Sequence, residues 1–340
     1  MTDRLGDKVL VLGAGNFGTC LAQHLAEKGY HVTIWSRSQE VVDSINQAHK
    51  NPKYLSTINL SPRLQATKII DREAIDAVDV VIHATPTQTL REVLTQLAPS
   101  WRPGLLLICA AKGLEIGSLD LPSQVIAEVL GEGISARAAF LSGPSFASEI
   151  MARQPTAVTA ASRSAAIAQR VQSLFHSPHF RVYTSDDPIG LEVAGALKNV
   201  VAIAAGACAG IGFQMNSRAA LITRGLAEIM RFGVALGANP ITFNGLSGVG
   251  DLFLTCTSEK SRNFSVGYRL GQGQPIDRVL AEVGVAEGVA TAKAAHDLAL
   301  KLHVDAPITS EVYRVLYENK PIAQAVMGLL TREAKPEVSF

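Results

Sequence analysis

The sequence predicts an α/β chain: an N-terminal, Rossmann-like doubly wound sheet over residues 1–188 followed by an all-helical C-terminal domain over residues 189–340. Three observations carry this reading. Short β-branched runs alternate with amphipathic stretches through the first half, and a glycine-rich turn follows the first of these runs. After Asp186-Asp187-Pro188 the composition becomes rich in Ala, Leu and Gly with helical periodicity. At 340 residues the chain also exceeds what one hydrophobic core usually holds, so two domains are expected.

Taken in order, Lys8 to Leu12, His31 to Trp35, Val78 to His83, Leu105 to Ala110 and Ala138 to Leu141 read as buried strands of a parallel sheet. Thr156 to Ala160 and Phe180 to Thr184 extend that sheet on either side of a helix from Ser164 to Phe175. The acidic, proline-containing triplet is the expected hinge between domains, and Arg332 to Phe340 is expected to fray.

Composition narrows the function classes. Lys plus Arg number 31 and Asp plus Glu 30, a net charge of +1 that offers no bulk field for nucleic acid or an anionic membrane surface. Hydrophobic residues make up 47% and charged residues 18%, which argues against disorder. Cys20, Cys109, Cys208 and Cys256 are widely spaced, without a CxxC pair, and read as reduced thiols. A polar N-terminus argues against a signal peptide, and the longest nearly apolar run, Val200 to Phe213, falls short of a bilayer span. A soluble, cytoplasmic protein is the expectation. Only His176 and His179 lie close together among the histidines, and neither GxSxG nor HExxH occurs, so no metal site and no hydrolase is expected.

Lys8 to Leu12, Gly13-Ala-Gly-Asn-Phe-Gly18 and the helix-compatible Thr19 to Glu27 form the strand, turn and helix of a dinucleotide fingerprint. Gly13 permits the tight turn, Gly15 lets backbone amides approach a pyrophosphate, and Gly18 lets helix and strand pack closely. At the end of the second run, Trp35-Ser36-Arg37-Ser38 lacks the acid that would bind a ribose diol. Ser36 and Arg37 suit a 2′-phosphate instead, though an arginine at a strand end also fits a plain solvated charge; NADP(H) is the expected preference, with NAD(H) also admitted.

Three later clusters fall where strands end: Ala84 to Thr87, Ala111 to Glu115 and Ser142 to Ala147. Lys112 suits an anion or carbonyl contact, while Gly143, Pro144 and Ser145 suit a turn with exposed amides; each alone also fits an ordinary turn. Lys198 lies in an apolar helical stretch with Glu192 and Asn199. Burial disfavours an ammonium, and a lysine tuned in this way serves as general acid or base near neutrality. Glu192, six positions earlier, does not share its helix face. Downstream, Ser261, Arg262 and Asn263 stand at a helix start and present hydroxyl, guanidinium and amide donors to an anion, or simply cap the helix.

The motifs GAGNFGT, AAKGLE, SGPSFASE, LKNVVAIAAG, NSRAALITRG, GLSGVGDLFLTCTSEKSRNFSVGYRLGQG and AEGV, in this order, resemble those of bacterial NAD(P)-dependent glycerol-3-phosphate dehydrogenases. The resemblance runs from about residue 8 to about residue 320. It implies reversible reduction of dihydroxyacetone phosphate to sn-glycerol 3-phosphate, feeding glycerophospholipid synthesis, in a homodimer. It further implies cofactor contacts at Asn16, Phe17, Arg37, Lys112, Ala147, Arg262, Val285 and Glu287. Lys198 would then be the proton donor and acceptor, and substrate contacts would fall on Lys112, Gly143, Ser145, Asp251, Ser261, Arg262 and Asn263. Phe17 stands where many members carry Trp. The alternatives are a 3-hydroxy-acid dehydrogenase of the same two-domain plan and a non-catalytic NADP(H) sensor.

Overall fold

A computed structural model of the chain describes residues 7–334 and 336–337. Eight strands form one sheet: β1 (Lys8–Leu12), β2 (His31–Trp35), β3 (Leu64–Thr67), β4 (Val80–His83), β5 (Leu106–Cys109), β6 (Ala139–Ser142), β7 (Thr156–Ala161) and β8 (Phe180–Ser185). Their spatial order is β3-β2-β1-β4-β5-β6-β7-β8. Between them run α1 (Asn16–Glu27), α2 (Gln39–Ala48), α3 (Arg72–Asp76), α4 (Leu90–Leu97), α5 (Pro122–Leu130), α6 (Glu132–Ser135), α7 (Ala147–Met151) and α8 (Ala165–Phe175). Val9, Val11, Ile34, Val80 and Ile82 pack one face of the sheet, while Leu10, Leu12, Val81, Leu107 and Phe140 pack the other. Strands covered on both faces need apolar residues at successive positions, which is why these runs do not alternate.

Two expectations need correction. The sheet is not parallel throughout, because β6 pairs with β7 antiparallel while every other neighbouring pair is parallel. The segment between β6 and β7 carries only the one-turn helix α7 and returns the chain beside the strand it left. The sheet also gains β3 at its edge, a strand with only Leu64 and Ala66 turned inward.

After β8 the chain enters α9 (Pro188–Gly210), α10 (Met215–Ala235), α11 (Asp251–Thr257), α12 (Arg262–Gly271), α13 (Ile276–Val283), α14 (Glu287–Leu302), α15 (Pro307–Tyr317) and α16 (Ile322–Leu330). Asp187 caps α9 by accepting from Gly190 N at 2.9 Å, and Pro188 occupies the first helical turn. Helix α9 is long and apolar enough to cross a membrane, contrary to the shorter run read from the sequence, yet 78% of its apolar window is buried inside the protein. It is the axis on which α10, α11, α12 and α14 pack. Its contact with α12 is unusually close. A Cβ on Gly206 or Gly210 would collide with the carbonyls of Phe264 and Tyr268, and one on Gly267 or Gly271 with those of Ile203 and Ala207. These glycines let the two backbones touch and so fix how α12 sits against α9.

The tail is partly held. Arg332 pairs with Asp305 at 2.8 Å and the Glu337 carbonyl accepts from Arg224, while residues 338–340 lie outside the described part.

Candidate active site

A cleft of about 710 Å³ opens where the carboxyl ends of the central strands face the helical domain. Its glycine turn follows from the backbone. Gly13 has φ +114, and a Cβ there would press on Ala84 and Thr85 from the loop after β4. A Cβ on Gly18 would run into the Gly13 carbonyl, so this glycine packs helix against strand and does not line the cleft. Gly15 faces open space as the N-cap of α1, whose first turn has neither a side-chain cap nor an acid. The exposed amides and the positive end of α1 therefore fit a dinucleotide pyrophosphate. Asn16, Phe17 and Ala147 line this part, and Ser36 and Arg37 line its outer end.

At the inner end two lysines share one carboxylate. Lys198 Nζ lies 3.2 Å from Asp251 Oδ1, and Lys112 Nζ lies 2.9 Å from Asp251 Oδ2. Lys198 also donates to Thr255 Oγ1 at 2.8 Å, while the Thr255 hydroxyl donates to the Asp251 carbonyl at 2.6 Å. Having spent its proton there, Thr255 turns a lone pair to the ammonium. Lys198, Asp251 and Thr255 are all buried. Desolvation pulls Lys198 down to about 8, against the upward pull of Asp251. Desolvation alone would raise Asp251, but the two ammoniums outweigh it and hold the carboxyl below its usual range. Lys112 also donates to the Gly143 carbonyl at 3.4 Å and stands 5.8 Å from the centre of the Phe17 ring.

The rim of this end belongs to α12. Ser261 is its N-cap and accepts from Phe264 N at 3.2 Å, which leaves its hydroxyl proton for a ligand. Arg262 is exposed at the start of the helix and lines the cleft. Asn263 is engaged structurally as well, donating to Asn199 Oδ1 and accepting from Gly288 N, each at 2.9 Å, so that it ties α12 to α9 and α14. Ser145 lines the cleft and donates to the Gly143 carbonyl at 2.8 Å. Gly143 has φ +142 and no lining surface; it participates through that carbonyl alone. Val285, in the loop before α14, and Glu287, the first residue of that helix, line the cleft as well. Glu287 accepts from Thr87 N at 3.2 Å across the domains, and burial pushes it up to about 7.

Family models for the N-terminus and the C-terminus of NAD-dependent glycerol-3-phosphate dehydrogenase match residues 8–168 and 187–327. The chain belongs to the NAD-dependent glycerol-3-phosphate dehydrogenase family. A glycerol-3-phosphate dehydrogenase (NAD(P)+) of Geobacter metallireducens is 49% identical over 98% of this chain and 99% of its own. That of Limosilactobacillus fermentum is 48% identical over 97% and 99% respectively. The crystal structure of glycerol-3-phosphate dehydrogenase from Coxiella burnetii superposes with a TM-score of 0.92 at 36% identity, covering 96% of this chain and all of that one. A D-mandelate dehydrogenase at 14% identity and TM-score 0.61 shares the fold alone.

For this glycerol-3-phosphate dehydrogenase family member, the cleft brings together every sequence-read site residue except Gly18 and Gly143, which support it from behind. Two further polar groups, Thr255 and Asn199, belong to its inner end. Asn199 donates to the Lys112 and Gly195 carbonyls, both at 3.3 Å, and so carries Lys112 on α9. Thr255 was legible only as the residue four positions after Asp251, on the same helix face. Glu192 stays clear of Lys198; it accepts from Ser123 N at 2.8 Å, and burial pushes it up to about 8. Among the described residues no cluster could hold a metal ion.

Proposed function

We propose that this oxidoreductase reduces dihydroxyacetone phosphate to sn-glycerol 3-phosphate reversibly, with Lys198 as proton donor and NADPH preferred to NADH. The observation that carries the reading is the Lys198–Asp251–Lys112 triad, with Lys198 and Asp251 buried and Lys112 half-buried, in the cleft that the N-terminus of α12 also lines. When bound along the glycine turn, the nicotinamide cofactor supplies the hydride. Ser261, Arg262 and the helix end hold the substrate phosphate, a dianion suited to a guanidinium and a positive dipole end. Lys112 and Lys198 face the ketone. Lys198 hydrogen-bonds the carbonyl oxygen, stabilises the charge that develops there and delivers a proton to it. In the reverse direction neutral Lys198 takes the hydroxyl proton. Asp251 and Thr255 aim its ammonium, and Asp251 keeps much of it protonated near neutrality.

The preference for NADPH rests on Ser36 and Arg37 at the outer end of the cleft, with no acid at the end of β2. A homodimer in the cytoplasm is the accompanying proposal. The test is dihydroxyacetone-phosphate-dependent oxidation of NADPH and of NADH by purified protein, with Lys198→Ala alongside. The variant is expected to lose at least about 100-fold in kcat while still binding cofactor. Undiminished turnover would remove Lys198 from the reaction.

A further inference from the structure

The segment after α2 folds back over the glycine turn, and one buried side chain holds it there. Asn51 is fully buried, and its Nδ2 donates to the Ala14 carbonyl and to Thr19 Oγ1, both at 2.9 Å. Its Oδ1 accepts from the backbone N–H groups of Lys53 and Tyr54, both at 3.1 Å. Every hydrogen-bonding capacity of this amide is thus used to pin Lys53 and Tyr54 to the turn that would cradle a pyrophosphate. Both residues line the outer end of the cleft beside Ser36, Arg37 and Ser38.

The Lys53 ammonium reaches the segment that follows β2. Its Nζ donates to Ser38 Oγ at 3.3 Å and lies 3.0 Å from Glu40 Oε2, while Ser38 N donates to Ser36 Oγ at 3.2 Å. Glu40 is the first acid after β2 in the sequence, yet it lies outside the cleft lining and its charge is matched by Lys53. The side chains of Lys53 and Glu40 are 49% and 66% exposed, so their ion pair is weak and easily exchanged for a stronger partner. A phosphate dianion between Arg37 and Lys53 would be such a partner. Glu92, on α4, is the acid that lines the cleft near this end.

We propose that Lys53 is a second cation for the 2′-phosphate of NADPH, positioned by Asn51, and that Glu40 competes with that phosphate for it and so sets cofactor discrimination. The proposal deepens the NADPH preference stated above and rests on it. With the phosphate present, Lys53 leaves Glu40 and closes on the ligand opposite Arg37. Without it, Lys53 stays on Glu40 and an unphosphorylated ribose meets a neutral pair, which is how one site admits both cofactors.

The experiment isolates the adenosine end. Binding of adenosine 2′,5′-bisphosphate and of 5′-AMP to full-length protein is measured by titration calorimetry for wild type, Lys53→Met, Glu40→Gln and Arg37→Gln, alongside kcat/KM for NADPH and NADH. Lys53→Met is expected to cut the preference for the bisphosphate about tenfold, and Glu40→Gln to raise it by about two- to threefold. The kcat/KM ratio of NADPH to NADH moves in the same directions. If Arg37→Gln lowers the preference while Lys53→Met and Glu40→Gln leave it unchanged, Lys53 is not a phosphate ligand and the NADPH reading survives. If wild type binds the two nucleotides equally and Arg37→Gln changes nothing, the NADPH reading fails and this inference fails with it.

Discussion

Replacing Asp251 by Asn removes one negative charge and keeps the shape of the side chain, at a point 3.2 Å from Lys198 Nζ and 2.9 Å from Lys112 Nζ. Lys198 stands at about 8 because desolvation lowers it and Asp251 raises it in part. An opposite charge at this range is worth about 1–3 pKa units, so the variant should carry Lys198 down to about 5–7. At pH 7 the protonated share then falls from about nine-tenths to between about one half and one hundredth. If the cation is the proton donor, kcat/KM for dihydroxyacetone phosphate in the wild type is level below about pH 8 and falls tenfold per unit above it. In Asp251→Asn the break moves about 1–3 units to lower pH. On the same premise glycerol phosphate oxidation would need the neutral amine, with the opposite slope and a break that moves in the same direction. The assay is NADPH oxidation, and NADP+ reduction in reverse, followed by absorbance from pH 5.5 to 10, with a thermal melt of each protein to show that the variant is folded. A break that stays in place or moves upward, in a variant that melts like wild type, would refute the claim that Asp251 sustains the charge on Lys198.

Two further predictions concern the framework. Glu192 is raised to about 8 by burial, despite its hydrogen bond from Ser123 N, so between pH 4.5 and 8 the folded state holds a proton that the unfolded chain has lost. Its contribution to stability is therefore complete below about 4.5 and falls as pH rises towards 8, by at most about 1.4 kcal/mol per unit. Glu192→Gln should gain on wild type across that window in urea melts at several pH values; a pH-independent difference would count against the assignment. Gly206→Ala drives a methyl group into the Phe264 carbonyl and is expected to cost about 1–3 kcal/mol by urea denaturation, with turnover reduced as α12 moves off α9. Wild-type stability in that variant would show that the seam has slack.

Most of the sheet was legible because a strand covered on both faces leaves an unbroken apolar run, as in Val80–His83 and Leu106–Cys109. Leu64–Thr67 escaped notice because an edge strand buries only alternate residues and this one has two. The antiparallel turn from β6 to β7 escaped because strand direction depends on the length and path of the connection, which periodicity does not carry. Lys198 announced itself as a cation in an apolar helix. What stabilises it did not, since Asp251 and Thr255 lie on another helix and no local spacing links them to α9. The same holds for Asn51, whose partners Ala14 and Thr19 are distant in sequence and whose own neighbours read as an ordinary loop.

Helix α9 ties these observations together, because it holds two buried ionisable groups and treats them in opposite ways. Glu192 accepts from Ser123 N and feels only a weaker pull from Arg163, which desolvation outweighs; in an apolar surround its cheaper state is the neutral acid. Lys198, less than two turns further on, meets the same desolvation, but Asp251 and Thr255 reach it from α11 and a third charge, Lys112, shares the carboxylate. A lone carboxylate beside one lysine would neutralise it in a tight pair. With two lysines competing for it, the carboxylate fully satisfies neither, and Lys198 is left close to the point where gain and loss of a proton are equally easy. That poise depends on Lys198 staying buried. Asp251 and Thr255 hold it from α11, while the close crossing of α12 on α9, at glycines on both helices, sets α12 so that Ser261 and Arg262 line the same cleft. The same helix thus carries the tuned lysine and seats the helix whose basic start lines the same cleft.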